Sequence, residues 1–108
     1  FDPLHPAVLR AIKFASDAAR RARISITVCG EMASNPTHVV VLLGMGLRDL
    51  SMTPNAIPAV KRVVRSIDIK TAEQIASRAL MLTTPGEVNR WVKEQVGAHW
   101  GHFLSVPV

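Results

Sequence analysis

Residues 24–33 are Ile-Ser-Ile-Thr-Val-Cys-Gly-Glu-Met-Ala, a short apolar segment that stops at the only cysteine of the chain. The alternation predicts a β-strand over about 24–28, because successive side chains of a strand point to opposite faces. The glycine that follows favours a tight turn, which places Cys29 at the end of the strand. One face then carries Ile24, Ile26 and Val28, and the other carries Ser25, Thr27 and Cys29.

Helices are predicted on both sides of this strand. His5-Pro6 opens a helix that runs to about Ala22, and Asn35-Pro36 begins a second helix that Gly44 and Gly46 end. A second short strand covers about 49–52. Asp68 and Thr84 have the position and type of N-cap residues, so the remaining helices are expected at about 55–66, 69–82 and 85–96. From residue 97 onward no period is found, and 97–108 stay an unassigned C-terminal tail.

The order of helix, strand, helix, strand and helices indicates an α/β fold with parallel strands. Two short strands do not complete such a sheet, since parallel sheets are covered on both faces and paired at both edges. The chain also begins at Phe1 without an initiator methionine. We therefore expect residues 1–96 to be the C-terminal portion of a (β/α)8 TIM-type barrel, comprising its last two strands and their helices. Cys29 would then look out of the C-terminal mouth, where barrel enzymes carry their active sites.

Composition narrows the classes of function. The 108 residues carry a formal net charge of +5, but the basic residues lie at helix ends with few aromatic residues among them, which disfavours nucleic-acid binding. The longest apolar run, Val39 to Leu43, is far too short to span a bilayer. A single cysteine and the lack of a secretory leader predict a reducing, cytoplasmic setting.

Three stretches carry a resemblance to a known family: Asp2-Pro-Leu-His-Pro-Ala-Val-Leu-Arg10, Val28-Cys-Gly-Glu-Met-Ala33, and Leu42-Leu-Gly-Met-Gly-Leu47 with Leu50-Ser-Met52 and Ile57-Pro58 after it. In order and spacing, from Phe1 to about Gln95, they resemble phosphoenolpyruvate-protein phosphotransferase, which is enzyme I of the bacterial sugar phosphotransferase system. Pyruvate phosphate dikinase and phosphoenolpyruvate synthase share the turn at Cys29, whereas the other stretches favour enzyme I. A nitrogen-regulatory paralogue and a fused multiphosphoryl transfer protein remain alternatives.

The resemblance implies a role for Cys29. In this family phosphoenolpyruvate (PEP) gives its phosphoryl group to an enzyme histidine, which passes it to the carrier protein HPr for sugar uptake. The enolpyruvate that remains needs a proton at its methylene carbon, and Cys29 matches the family's proton donor. A thiol suits this role because it is mostly protonated near neutral pH. Gly30 is a weaker candidate, for contact with the substrate through its proximity.

The resemblance also implies parts that these residues lack. The phosphorylated histidine, the PEP-binding arginines and the ligands of Mg²⁺ belong to regions upstream of Phe1, so no metal site is expected here and the chain alone should be inactive. Family members form homodimers through this domain. The alternative is therefore a structural and dimerisation module without activity of its own.

Other residues have plainer interpretations. A lone cysteine after an apolar strand is often a buried structural thiol, and Glu31 is expected to be a surface or structural carboxylate. His5 and His38 begin helices, and neither lies in a sequence that resembles the family's phosphorylated histidine. His99 and His102 are expected in an exposed tail rather than in a metal site, because no cysteine or carboxylate completes a ligand set near them.

Two positions depart from the family pattern. Ser34-Asn35-Pro36 stands where many members have Gly-Asp-Pro, and Arg48 stands where an acidic residue is common. Asparagine also caps helices well, so the turn is expected to survive. Arg48 is expected to alter the surface rather than the chemistry.

Overall fold

The computed structural model describes residues 2–104, with side chains described through Gly101. In this part of the chain α1 spans Pro6–Ala22, β1 Thr27–Cys29, α2 Glu31–Ser34, α3 Pro36–Gly44 and β2 Asp49–Ser51. A 3₁₀ turn at Pro54–Ala56 leads into α4 at Ile57–Ser66, which is followed by α5 at Ile69–Ala79 and α6 at Pro85–Leu104. The expectation of a helix-rich α/β domain is confirmed.

The C-terminal end of α1 determines where β1 begins. Arg23 adopts a left-handed conformation with φ of 58°, and the amide of Ile24 donates to the Ala19 carbonyl at 3.0 Å. Together with the bond from the Arg23 amide to the Arg20 carbonyl, this forms a Schellman cap. The strand expected from residue 24 therefore begins only at Thr27, and Ile24 is 66% exposed.

The two strands pair in parallel, as the sequence predicts. Val28 and Leu50 are neighbours and pack against the core from one face of the sheet. The other residues of both strands are exposed on the opposite face. The predicted alternation is thus confirmed from Ile26 onward, and the helices cover one face of the sheet within the described part of the chain.

Helix α3 forms the centre of the core because it is apolar on every side. Residues 39–42 are fully buried, as expected for a helix with no polar face. Of the helices that contact α3, α5 makes the most extensive contact with it, and α4 and α6 also pack against it. Asn35 begins α3 by accepting hydrogen bonds from the amides of Thr37 at 2.9 Å and His38 at 3.3 Å, so the cap survives the departure from the family pattern.

Helix α6 is longer than the sequence predicted. It does not end near Val96 but continues to Leu104, so the segment that had no assignment from residue 97 is helical up to that point. Gly97 is buried inside this helix. The buried side follows a spacing of four residues, which is one face of a helix, through Val88, Val92, Val96 and Trp100. Residues 105–108 lie outside the described part of the chain.

Two smaller differences concern α2 and α5. The short helix α2 was not expected from the sequence. Asp68 caps α5 as predicted, accepting from the Thr71 amide at 3.3 Å, but α5 ends at Ala79 and not near Leu82. Beyond that end, Arg10 of α1 donates to the carbonyl of Leu82 at 3.0 Å, which ties the loop before α6 to the first helix.

The described residues form a single two-stranded sheet and not a closed barrel. A parallel pair with one bare face is unusual, since parallel sheets are normally covered on both sides. The barrel therefore remains a hypothesis about the larger protein. None of the described helices combines the length and apolar character needed to cross a membrane.

Candidate active site on the open face of the sheet

The face of the sheet that the helices leave bare is polar. It consists of Thr27 and Cys29 from β1 and Asp49 and Ser51 from β2, and we call these four residues the open face. The register places Thr27 beside Asp49, and Cys29 beside Ser51 at the carboxyl ends of the strands. In α/β proteins the carboxyl ends of parallel strands are where ligands bind.

Cys29 is an exposed free thiol at the last position of β1. Gly30 follows with φ of 84° and ψ of −155°, a conformation that residues with a Cβ rarely adopt. It turns the chain directly into α2, where the Ser34 hydroxyl donates to the Gly30 carbonyl at 3.0 Å. The turn predicted at the glycine is confirmed, and the alternative of a buried structural thiol is wrong.

Ser51 is the site residue that the sequence interpretation missed. It is exposed, and the register sets it directly across from Cys29. Neighbouring strands are about 4.8 Å apart, so the hydroxyl and the thiol are adjacent groups on one surface. The available signal was the alternation of polar Asp49 and Ser51 with apolar Leu50, which repeats the alternation of β1.

A groove of about 750 Å³ borders the open face between β2 and α4. Ser51 contributes to its wall, and Cys29 does not. Its remaining walls are apolar with a basic rim that includes Arg48, Lys61 and Arg65. Arg48 Nη1 donates to the Leu43 carbonyl at 2.8 Å, so this side chain closes the end of α3 while it lines the groove.

The histidines have other settings. His5 caps α1, accepting a hydrogen bond from a backbone amide through Nδ1 at 3.0 Å. His38 is half-buried on α3, and burial lowers its pKa against the opposing effect of the Asp2 charge. His99 is exposed on α6, so the expected exposure is right but the expected tail is a helix. The side chain of His102 lies outside the described residues.

The described side chains offer no ready site for a metal ion. Among residues 2–101, no three His, Cys, Asp or Glu side chains come together as a metal ion would require. Asp49 supplies one carboxylate to the open face, and Glu31 is exposed at the start of α2. Mg²⁺ demands near-octahedral oxygen coordination, which these residues by themselves do not fit.

Comparison with known proteins assigns this strand pair to a family. A family model described as the PEP-binding domain of PEP-utilising enzymes matches residues 1–69, a range that contains both strands and the whole open face. The chain belongs to the PEP-utilising enzyme family. The resemblance found in the sequence is thereby confirmed.

Curated relatives of this chain carry phosphotransferase names. A multiphosphoryl transfer protein of Xanthomonas campestris is 41% identical over 96 residues, which are 89% of this chain and 12% of that protein. A phosphoenolpyruvate-protein phosphotransferase of Cupriavidus necator is 40% identical over 87 residues, 81% of this chain and 15% of the relative. A protein of Salmonella typhimurium named phosphoenolpyruvate-dependent phosphotransferase system is 38% identical over 92 residues, which are 85% of this chain and 12% of that protein. The chain thus spans less than a sixth of the length of these relatives.

Proposed function

We propose that this chain is the C-terminal part of the PEP-binding barrel of a phosphoenolpyruvate-protein phosphotransferase, in which Cys29 donates a proton to enolpyruvate. The observation that carries the proposal is the place of Cys29, an exposed thiol on a polar face at the carboxyl end of a parallel strand. Barrel enzymes keep their chemistry at that end of the strands. The strand also lies within the residues that the PEP-binding family model matches.

The proposed step follows transfer of the phosphoryl group from PEP to a histidine elsewhere in the protein. That transfer leaves the enolate of pyruvate. The S–H bond of Cys29 breaks, its proton forms a new C–H bond at the methylene carbon, and the carbonyl of pyruvate re-forms while a thiolate remains. A protonated thiol within reach of the carbon is a suitable general acid near neutral pH. In the reverse direction the thiolate takes a proton from the methyl group of pyruvate.

The remaining machinery is assigned to regions outside this chain. These regions would supply the phosphorylated histidine, the arginines that bind PEP, and the ligands of Mg²⁺, since the described residues do not fit that ion alone. When bound, Mg²⁺ would neutralise charge on the phosphoryl group. Gly30 would allow the backbone to turn tightly beside the substrate. The phosphoryl group would pass from the histidine to HPr for sugar uptake. The whole protein would lie in the cytoplasm.

Replacing Cys29 with alanine in the full-length phosphotransferase tests the proposal. We expect pyruvate formation from PEP to fall by about 10²- to 10⁴-fold, the usual contribution of a general acid or base. The substitution removes an exposed side chain, so the sedimentation coefficient and the circular dichroism spectrum should match those of the parent protein. A normal rate of pyruvate formation in this variant would exclude Cys29 as the proton donor.

A structural role is the second candidate, because the chain exposes large apolar side chains away from the open face. Phe14 on α1 and Met81 after α5 are each 73% exposed. Exposed apolar side chains of this size favour contact with another domain or a second subunit, which fits a homodimer formed through this region. If the chain served only this role, the Cys29→Ala protein would assemble normally and also turn over PEP at the parent rate.

A further inference from the structure

We propose that Ser51 is a positioning residue for Cys29, its hydroxyl donating a hydrogen bond to the sulfur as the thiol gives up its proton. This inference rests on the proposed role of Cys29 and assigns a partner to it. The two residues are register partners in parallel strands, both exposed on the open face and both at the strand ends. At an interstrand spacing of about 4.8 Å, rotation about χ1 brings a hydroxyl within hydrogen-bond reach of a neighbouring sulfur.

The chemistry of the neighbouring groups selects Ser51. A hydroxyl accepts from the S–H group before proton transfer and donates to the thiolate afterwards. Ionised Asp49 and Glu31 only accept hydrogen bonds, so neither stabilises a thiolate. Thr27 lies two residues back on the same strand, about 6.6 Å away along β1.

The hydroxyl of Ser51 is also available for this contact. Within the part of the chain that the structure describes, no hydrogen bond engages Ser51 Oγ or Cys29 Sγ, although Ser34 and Ser16 hydroxyls donate to backbone carbonyls at 3.0 Å and 3.2 Å. The nearby cation of Arg48 is already directed to the Leu43 and Leu47 carbonyls at 2.8 Å and 2.9 Å. Ser51 is therefore the described donor best placed to serve the sulfur.

The first test is kinetic and uses the full-length phosphotransferase. Ser51→Ala is expected to lower kcat for pyruvate formation about tenfold while KM for PEP changes less than about twofold, because the lost bond forms during proton transfer. Ser51→Thr restores the hydroxyl and should return most of the rate. Ser25→Ala is the matched control, since it removes an exposed serine hydroxyl near the other end of β1, and it should leave kcat unchanged. An unchanged kcat in Ser51→Ala would overturn the proposal.

The second test asks whether Ser51 acts through Cys29. In a Cys29→Ala background, Ser51→Ala should cause no further loss, since residues that act as one unit are not additive. Iodoacetamide labelling of Cys29 near neutral pH should also slow about threefold in Ser51→Ala, because the thiolate loses its donor. A full additional tenfold loss, or unaltered labelling, would overturn the positioning role. If Cys29→Ala alone is fully active, the proton-donor proposal fails, whereas the labelling result still reports on the Ser51–Cys29 contact.

Discussion

Gly44, at the end of α3, has no room for a side chain. A Cβ built there would overlap the carbonyl oxygen of Ala72 and the side chain of Ala76 on α5. The first of these neighbours is backbone, so it moves only if α5 moves. We expect Gly44→Ala to lower the free energy of unfolding by about 2 kcal/mol, as overpacking in a dense core does. Urea unfolding followed by circular dichroism at 222 nm, a wavelength that reports helix content, measures this loss.

Gly86 is the matched control for this prediction. It lies in the first turn of α6, and a Cβ built there meets nothing within 4 Å. Gly86→Ala should therefore leave stability unchanged or raise it by up to about 1 kcal/mol, because alanine restricts the unfolded chain. Equal stabilities for the two alanine variants would show that α3 and α5 are not in the close contact described.

At the scale of single residues, the sequence offered Cys29 and Gly30 as candidate site residues but not Ser51. The first two follow from a local pattern, an alternating strand that stops at a glycine. The proposed partnership of Ser51 with Cys29 depends on which residue of β2 pairs with which residue of β1. A shift of one residue in that register would turn Ser51 toward the core. Such pairing is non-local, and the spacing within either strand does not specify it.

The N-terminus of α6 is a capping box whose strength depends on one carboxylate. Glu87 Oε1 accepts from the hydroxyls of Thr83 at 2.9 Å and Thr84 at 3.0 Å, and from the Thr84 amide at 3.1 Å. These hydrogen bonds hold the pKa of Glu87 below its ordinary value, and the bond from the Thr83 hydroxyl has the largest effect. A carboxyl with a lowered folded-state pKa stabilises the fold above its unfolded pKa, and this contribution is lost as the pH falls through the folded value.

We therefore expect Glu87→Gln to be less stable than the parent chain near neutral pH, with the difference vanishing in acid once Glu87 is protonated. Urea unfolding of both chains across the acidic range measures the difference. Glu73→Gln provides the control, since Glu73 is an exposed carboxylate on α5 and should show no such convergence. A Glu87→Gln deficit that persists at the lowest pH would contradict a role for the charge.

Among whole elements, the helix starts were predictable and the helix ends were less so. Caps at Asn35, Asp68 and Thr84 are local signals, and each is found where the sequence places it. The end of α6 was missed because Gly97 resembles a helix terminator, whereas its burial in the core makes a small residue favourable there. The face formed by Val88, Val92, Val96 and Trp100 was the signal that the helix continues.

For the whole molecule, the parallel pair and its one bare face agree with the expectation that further strands complete the sheet. The sequence could raise this expectation because parallel sheets are almost always covered on both faces. It could not supply the rest of the proposed site, since the phosphate- and metal-binding groups would come from other strand ends. Under the proposed function, the open face would supply one proton donor and its partner, not a complete catalytic set.

The two-stranded sheet leads to a final prediction about the chain by itself. Within the described residues each strand pairs on one side only, and an unpaired edge is a template for association. The groove beside β2 includes Val64, which is 53% exposed. We expect the 108-residue chain to associate in sedimentation velocity runs at increasing concentration.

Val64→Glu should weaken this association about tenfold, because burying a valine is worth about 1.5 kcal/mol. Gln74→Glu, which adds the same charge at an exposed position of α5 outside the groove, should leave association unchanged. If the chain stays monomeric at every concentration, the unpaired strand edge is not a surface for association. If both variants weaken association equally, the contact lies elsewhere.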